Sequence, residues 1–332
     1  IPDLFSIQNG TSNPSISEIY TEKKINSAYG TIGLNWDAYW FIDATFRNDW
    51  SSALSQSNRS YFYPSVSTSL IVTDMIERMG GSAPRWVSYG KVRASYAQVG
   101  NDLAPYNLYN TYEVAKDPNG NTTVKRKKVL YDPNVRSELI KSLEVGAEAR
   151  LFNNRLGIDF AWYKSNATRQ LIDLPMDPLS GYEKKKINAG NIENKGIELM
   201  LNARILDKAV AWDMNVNFST NKNTVKEIAP GIDYYPLGGY DNIQIYAAAG
   251  QKYGEIWGTA YQRVTDEKSP YFGKLLLSET GLPLVTSEKV RLGNQQANGL
   301  LGVSNTFTYK GVSLGFLIDA RFGGKMFSGT TV

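Results

Sequence analysis

The sequence predicts an all-β fold: an antiparallel barrel wall that crosses a membrane with strands. Three observations predict it. Apolar and polar residues alternate with period two along most of the 332 residues, the signature of strands with unlike faces. The alternating segments run about ten to thirteen residues, longer than the usual five or six and matched to a tilted membrane strand of ≈ 9–11. Connections between them alternate between short and long, so every short turn falls on one side and every long loop on the other. That is the layout of an outer-membrane barrel.

About ten segments carry this reading, in order. Ala28 to Trp36 alternates weakly. In the next, Trp40, Ile42, Ala44 and Phe46 oppose Asp43, Thr45 and Arg47. Phe62 to Val72 and Tyr89 to Val99 are again weaker. Leu143, Val145, Ala147, Ala149 and Leu151 then oppose Glu144, Gly146, Glu148 and Arg150. Leu156, Ile158, Phe160 and Trp162 oppose Gly157, Asp159, Ala161 and Tyr163. Ile197, Leu199 and Leu201 stand against Glu198 and Asn202. Val210, Trp212, Met214, Val216 and Phe218 oppose Ala211, Asp213, Asn215, Asn217 and Ser219. Leu301 to Tyr309 follows, and Val312, Leu314, Phe316 and Ile318 close the series. Short turns are expected at Asp37-Ala38, Asn153-Asn154, Leu206-Asp207-Lys208 and Lys310-Gly311, with one short helix at Asp74 to Met79. Long polar loops are expected at Asp49 to Ser60, Gly100 to Ile140, Ser165 to Asn194 and Asn221 to about Gly299.

A soluble sandwich also alternates, so a soluble β-sandwich carbohydrate-binding module stays open as the competing reading. Asp, Glu and Arg near strand centres suit a wet or plug-filled lumen, and Trp36, Trp40, Trp162 and Trp212 sit towards strand ends, where an aromatic girdle lies. Tyr 21 and Trp 7 against Phe 12 favour rings with a polar handle. No run approaches the roughly 20 apolar residues of a membrane helix. With His 0 and Cys 0, imidazole- and thiol-based catalysis and His/Cys metal sites are excluded. A formal charge of +4 does not argue for nucleic acid. Ile1-Pro2-Asp3-Leu4-Phe5 has no export-signal pattern, and the chain stops abruptly at Gly329 to Val332, so a piece of a longer chain is expected. Residues 1–332 are expected to form part of one transmembrane barrel domain, with 222–298 as a long extracellular loop segment.

Several stretches resemble the SusC/RagA family, TonB-dependent outer-membrane transporters of Bacteroidetes. Ser88-Tyr89-Gly90-Lys91-Val92-Arg93-Ala94-Ser95-Tyr96-Ala97-Gln98-Val99-Gly100-Asn101 resembles one family strand and its loop. Lys141 to Glu148, and Asn153-Asn154-Arg155-Leu156 followed by Asp159 to Lys164, are similar to the next hairpin. Asn188-Ala189-Gly190-Asn191-Ile192-Glu193-Asn194-Lys195-Gly196-Ile197-Glu198-Leu199 is the most specific match. Leu292-Gly293-Asn294 and Gly302 to Leu314 follow in family order. The resemblance implies a plugged barrel of roughly 22 strands, of which this chain supplies middle-to-late ones. It also implies nutrient import of oligosaccharide or peptide across the bacterial outer membrane, powered by TonB–ExbB–ExbD, with a SusD-like surface lipoprotein as lid. Family members often carry an Asp/Asn/Gly-rich cation loop. Here Asp266-Glu267-Lys268-Ser269-Pro270-Tyr271-Phe272-Gly273-Lys274 is poor in such ligands, so neither metal nor cofactor is carried over.

Glu144, Glu148 and Glu198 are the carboxylates to weigh for glycosidase chemistry, which needs a pair about 5–10 Å apart. On polar strand faces, beside Arg150 or Arg204, they read as lumen lining, and no enzyme is expected. The runs Lys125-Arg126-Lys127-Lys128 and Lys184-Lys185-Lys186 read as loop contacts to lipopolysaccharide phosphates and outer-membrane lipid, or as solvated charge. Tyr234, Tyr235, Tyr240 and Tyr246 are the expected substrate or partner contacts, since loop rings stack on sugars or pack peptides. Packing of the loop on itself is the simpler role for them.

Overall fold

The computed structural model describes residues 20–117 and 119–329; Ile1 to Phe5 and Thr330 to Val332 lie outside the described residues. The chain runs β1 (Ile25–Trp36), β2 (Trp40–Ser51), β3 (Ser60–Ile71), α1 (Val72–Arg78) and β4 (Val87–Asn101). There follow β5 (Tyr112–Lys116), β6 (Thr122–Arg126), β7 (Val129–Tyr131), β8 (Glu138–Leu151), β9 (Leu156–Pro175) and β10 (Lys184–Asp207). Then come β11 (Val210–Glu227), β12 (Tyr234–Tyr240), β13 (Ile243–Ala248), β14 (Glu255–Gly258), β15 (Val290–Asn294), β16 (Gly299–Tyr309) and β17 (Val312–Phe322). Ten of these pair in the order β1-β2-β3-β4-β8-β9-β10-β11-β16-β17, an open antiparallel wall, and β7 adds to β10 in parallel. The ten strands and the helix stand where the alternation put them.

Register turns alternation into two faces, because directly opposed residues of paired strands point the same way. Ala149, Ile158, Leu201, Val216, Val303 and Ile318 form one row across six strands. The next row is Glu148, Asp159, Met200, Asn217, Gly302 and Asp319. No second sheet covers the apolar rows: among the described residues most buried apolar side chains gather in small clusters outside the spanning part of the wall, and Ala161 lies on its inward face. One joins Ala53, Leu54, Leu103, Leu108 and Val135; another joins Val225, Ile228, Ala229 and Ala247. Val145, Phe160, Leu314, Phe316 and Ile318 remain exposed on the wall. A sandwich hides such a face against a partner sheet, so the soluble-sandwich reading falls here. The face belongs to lipid.

The turns keep the expected parity. The connections β1–β2, β3–β4, β8–β9, β10–β11 and β16–β17 lie on one side and the rest on the other. Lys310 (φ 43) and Gly311 (φ 83) both take the left-handed conformation that a tight two-residue hairpin requires. Asp37 and Ala38 do the same (φ 51 and 60), with Asn35 Oδ1 accepting from the Ala38 amide at 3.0 Å. The third expected turn shifts to 208–209, since β10 runs through Asp207. Trp36 opposes Trp40 at this end, and Trp212, Phe307 and Phe316 stack at 5.2 and 6.2 Å. Trp162 lies inside β9 rather than near its end.

The long connections differ most from expectation. Ser165 to Asn194 is largely strand: β9 and β10 stay paired from Asn194↔Ser165 out to Lys184↔Pro175. Beyond the membrane neither face has to be apolar, so alternation fades while the backbone ladder continues. Gly100 to Ile140 holds the β5–β6 hairpin and β7. In 222–298, β11 extends to Glu227 and β12-β13-β14-β15 form a separate four-stranded sheet.

Candidate functional site

The expected tyrosines sit on β12 and β13, where Tyr234 opposes Ala248, Tyr235 opposes Ala247 and Pro236 opposes Tyr246. Tyr234 and Tyr246 meet edge to face, centroids 5.6 Å apart, and the Tyr246 hydroxyl donates to Gln244 Oε1. Tyr240 ends the strand, 70% exposed, with Phe327 at 6.4 Å. Period two sends Tyr235 to the opposite face from Tyr234, and it packs against the cluster of Val225, Ile228 and Ala247. The four rings therefore do not form one constellation. Tyr234 and the half-buried Tyr246 share one face, while Tyr240, past the bulge between Pro236 and Gly238, opposes Ile243 on the face of Tyr235, which roots the sheet on the wall. Beside that root lies a cavity of about 310 Å³, apolar along Leu171, Ile172, Val225 and Tyr253 and polar at Asp173, Lys186 and Glu227. Lys186 Nζ and Asp173 Oδ1 are 2.6 Å apart.

An ion pair that sequence reasoning missed holds the other half of this sheet. Glu255 on β14 is 1% exposed and accepts from Arg291 Nε and, at 2.9 Å, from Arg291 Nη2 on β15. Accepting those hydrogen bonds, the carboxylate holds the guanidinium above its ordinary value. The partners lie 36 residues apart, and no local pattern marks them. Between β14 and β15, residues 260–286 fold back through bridges Tyr261↔Val285, Arg263↔Leu275 and Leu277↔Pro283. Tyr261, Tyr271, Phe272, Leu277 and Leu282 project there, each more than half exposed.

On the inward face arginines hold Glu144 and Glu148 of the weighed carboxylates, and Asp159 and Asp213 beside them. Arg93 donates to both oxygens of Asp159, at 3.2 and 2.9 Å, and lies 3.6 Å from Glu144. Arg150 pairs with Glu148 at 3.1 Å, and Arg204 with Asp213 at 2.9 Å. Glu144 and Glu148 are four residues apart on one strand, about 13 Å, too far for a glycosidase pair. Glu198 opposes Ala161 and Ser219 and lines a pocket with Asp159 and Asp319, where Arg93 already holds Asp159. Among the described residues no group of three or more acidic side chains gathers to hold a metal. Asp266 Oδ1 instead accepts from the Lys268 amide at 3.0 Å.

Comparison with known proteins adds three findings. A family model described as TonB dependent receptor-like, beta-barrel, matches residues 2–320. TonB-dependent receptor P3 of Formosa agariphila is 25% identical over 98% of this chain and 34% of its own length. TonB-dependent receptor P26 of the same organism is 24% identical over 93% of the chain and 33% of its own. The chain thus spans about a third of the curated relatives it matches. Among solved structures, the RagAB peptide importer in its closed-closed state superposes with TM-score 0.79 at 22% identity. That match covers 97% of this chain and 36% of the importer chain. A second RagAB peptide transporter structure gives 0.78 at 22% identity, over 96% and 36%. At this identity the likeness is one of fold.

Proposed function

The chain belongs to the TonB dependent receptor-like β-barrel family and lies in the bacterial outer membrane as barrel wall rather than enzyme, and from that premise we propose that it is the middle-to-late wall of a nutrient importer. One observation carries the reading. The register puts an apolar face on one side of ten paired strands and an Arg–carboxylate network on the other, with every elaborated connection on a single rim. Such a wall seals against lipid, offers charge to a plug and presents its outer rim to incoming cargo. TonB–ExbB–ExbD would drive the transporter through parts beyond this chain.

Within that reading the residues divide by role. Tyr234, Tyr246 and Tyr240 are the cargo-side rings, free to stack on sugar or pack against a peptide, and Tyr235 anchors the sheet that carries them. The apolar projection at Tyr271, Phe272, Leu277 and Leu282 is the contact for a SusD-like surface lipoprotein, because single exposed apolar residues are ordinary but a clustered set marks an interface. The importer titles name peptide for RagAB; here oligosaccharide and peptide share the same ring chemistry. Purification of the full-length native complex and mass spectrometry of its cargo tests the assignment. Cargo should co-purify with wild type and be lost from Y234A/Y246A/Y240A. Undiminished cargo in that variant would remove the rings from the site, and a full-length protein monodisperse without detergent would remove the importer.

A further inference from the structure

The outward face changes character abruptly where β9, β10 and β11 leave the apolar belt. Trp162, Ile197 and Thr220 form one row; two residues on, the same face presents Lys164, Lys195 and Lys222 directly opposite one another. Neighbouring strands lie about 4.8 Å apart, so three ammonium-bearing residues stand side by side within roughly 10 Å. Lys141 flanks the row on the same face, and Lys226, at the bulge near the end of β11, reaches it through Glu193. The single carboxylate among them, Glu193, is buried and spent: its oxygens lie 3.1 Å from Lys164 Nζ and 3.2 Å from Lys226 Nζ. Lys141, Lys195 and Lys222 are exposed and, among the described residues, have no ion pair or hydrogen bond.

Like charges directly opposed across strands destabilise a sheet, and Glu193 answers only Lys164 of the row, so Lys195 and Lys222 favour an external anion beside them. The row's height says which one. Lys164 stands eight residues beyond the first residue of β9 and Lys222 twelve beyond that of β11. At about 3.3 Å per residue and a tilt near 40°, these are roughly 20 and 30 Å above the turns. They bracket the top of a ≈ 25 Å apolar band. A lysine in hydrocarbon is costly, but at this level its stem lies on the wall and its charge reaches the headgroups. We infer that Lys164, Lys195 and Lys222 form a binding site on the lipid-facing wall for the phosphate groups of a phosphorylated glycolipid of the outer leaflet. The contiguous basic runs are elsewhere and partly neutralised: Lys128 pairs with Glu183, Lys186 with Asp173, and Arg126 lies over the Tyr182 ring at 4.4 Å.

The inference rests on the barrel wall and is independent of cargo, which is read separately. The full-length transporter is extracted in mild detergent as wild type, K164Q/K195Q/K222Q, K164R/K195R/K222R and the turn-side control K310Q. Co-purifying glycolipid is quantified by mass spectrometry. Melting is followed with added bisphosphorylated lipid A, its dephosphorylated form, or inorganic phosphate. Wild type, the arginine variant and K310Q should retain glycolipid and melt higher with the phosphorylated lipid alone. At the weight of one near-surface lysine each, losing three should weaken binding about a hundredfold. Equal retention by the glutamine variant overturns the site. An equal melting shift from inorganic phosphate overturns the glycolipid in favour of a simple anion site, and an equal shift from dephosphorylated lipid overturns phosphate recognition. Should the triple glutamine variant fail to assemble, K195Q alone serves, with partial loss expected and none refuting.

Discussion

Arginine placed at Val216 should expose the wall's polarity most directly. Val216 opposes Leu201 and Val303 and shares their outward row with Ile158 and Ile318. It lies six residues into β11, roughly 15 Å above the turns, close to the middle of a ≈ 25 Å band. Val216→Arg in the full-length protein should therefore cost about 2–4 kcal/mol. Ile158 occupies the same row but only two residues into β9, roughly 5 Å above the turns, so Ile158→Arg should cost about 1 kcal/mol or less. Asn217 is one residue along from Val216 and faces the other way. It borders a pocket with Asp159, Glu198 and Asp319, where an added guanidinium meets carboxylates, so Asn217→Arg should stay within ~1 kcal/mol of wild type. Reversible guanidinium unfolding in phospholipid vesicles gives the three values. Equal penalties at Val216 and Asn217 would refute the assignment of faces, and a penalty at Ile158 as large as at Val216 would refute the depth derived from strand position.

Three further outcomes follow. Residues 1–332 expressed alone should not give a heat-resistant monomer, because β1 and β17 leave open edges whose backbone groups cost several kcal/mol each in hydrocarbon; heat-modified gel migration reads this, and a resistant monomer contradicts it. Arg291→Ala leaves the Glu255 carboxylate buried without its donors and should cost about 2 kcal/mol locally, seen as faster proteolysis across β12–β15; unchanged protection would deny the pair its role. On intact cells, protease should cut within 260–286 and spare Asn153-Asn154 and Lys208-Ala209. The reverse pattern would invert the topology and take the tyrosines away from cargo.

The alternation of apolar and polar residues was enough to place ten wall strands and which rim bears the elaborated connections, because a strand between lipid and lumen imposes its demand residue by residue with period two. The β9 and β10 extensions past Ser165 and Asn194 escaped that reading, since a ladder in water is held by backbone hydrogen bonds that leave no mark on side-chain polarity. The small sheet of β12 to β15 was equally hidden, for its pairings and the Glu255–Arg291 bond join residues distant in the chain. Only that sheet decided that Tyr235 turns inward while Tyr234 and Tyr246 stay outside. The basic runs at Lys125 and Lys184 drew the eye because charge adjacent in sequence is visible. Lys164, Lys195 and Lys222 became neighbours only through strand register, which is set by pairing across the sheet and not by any spacing along the chain.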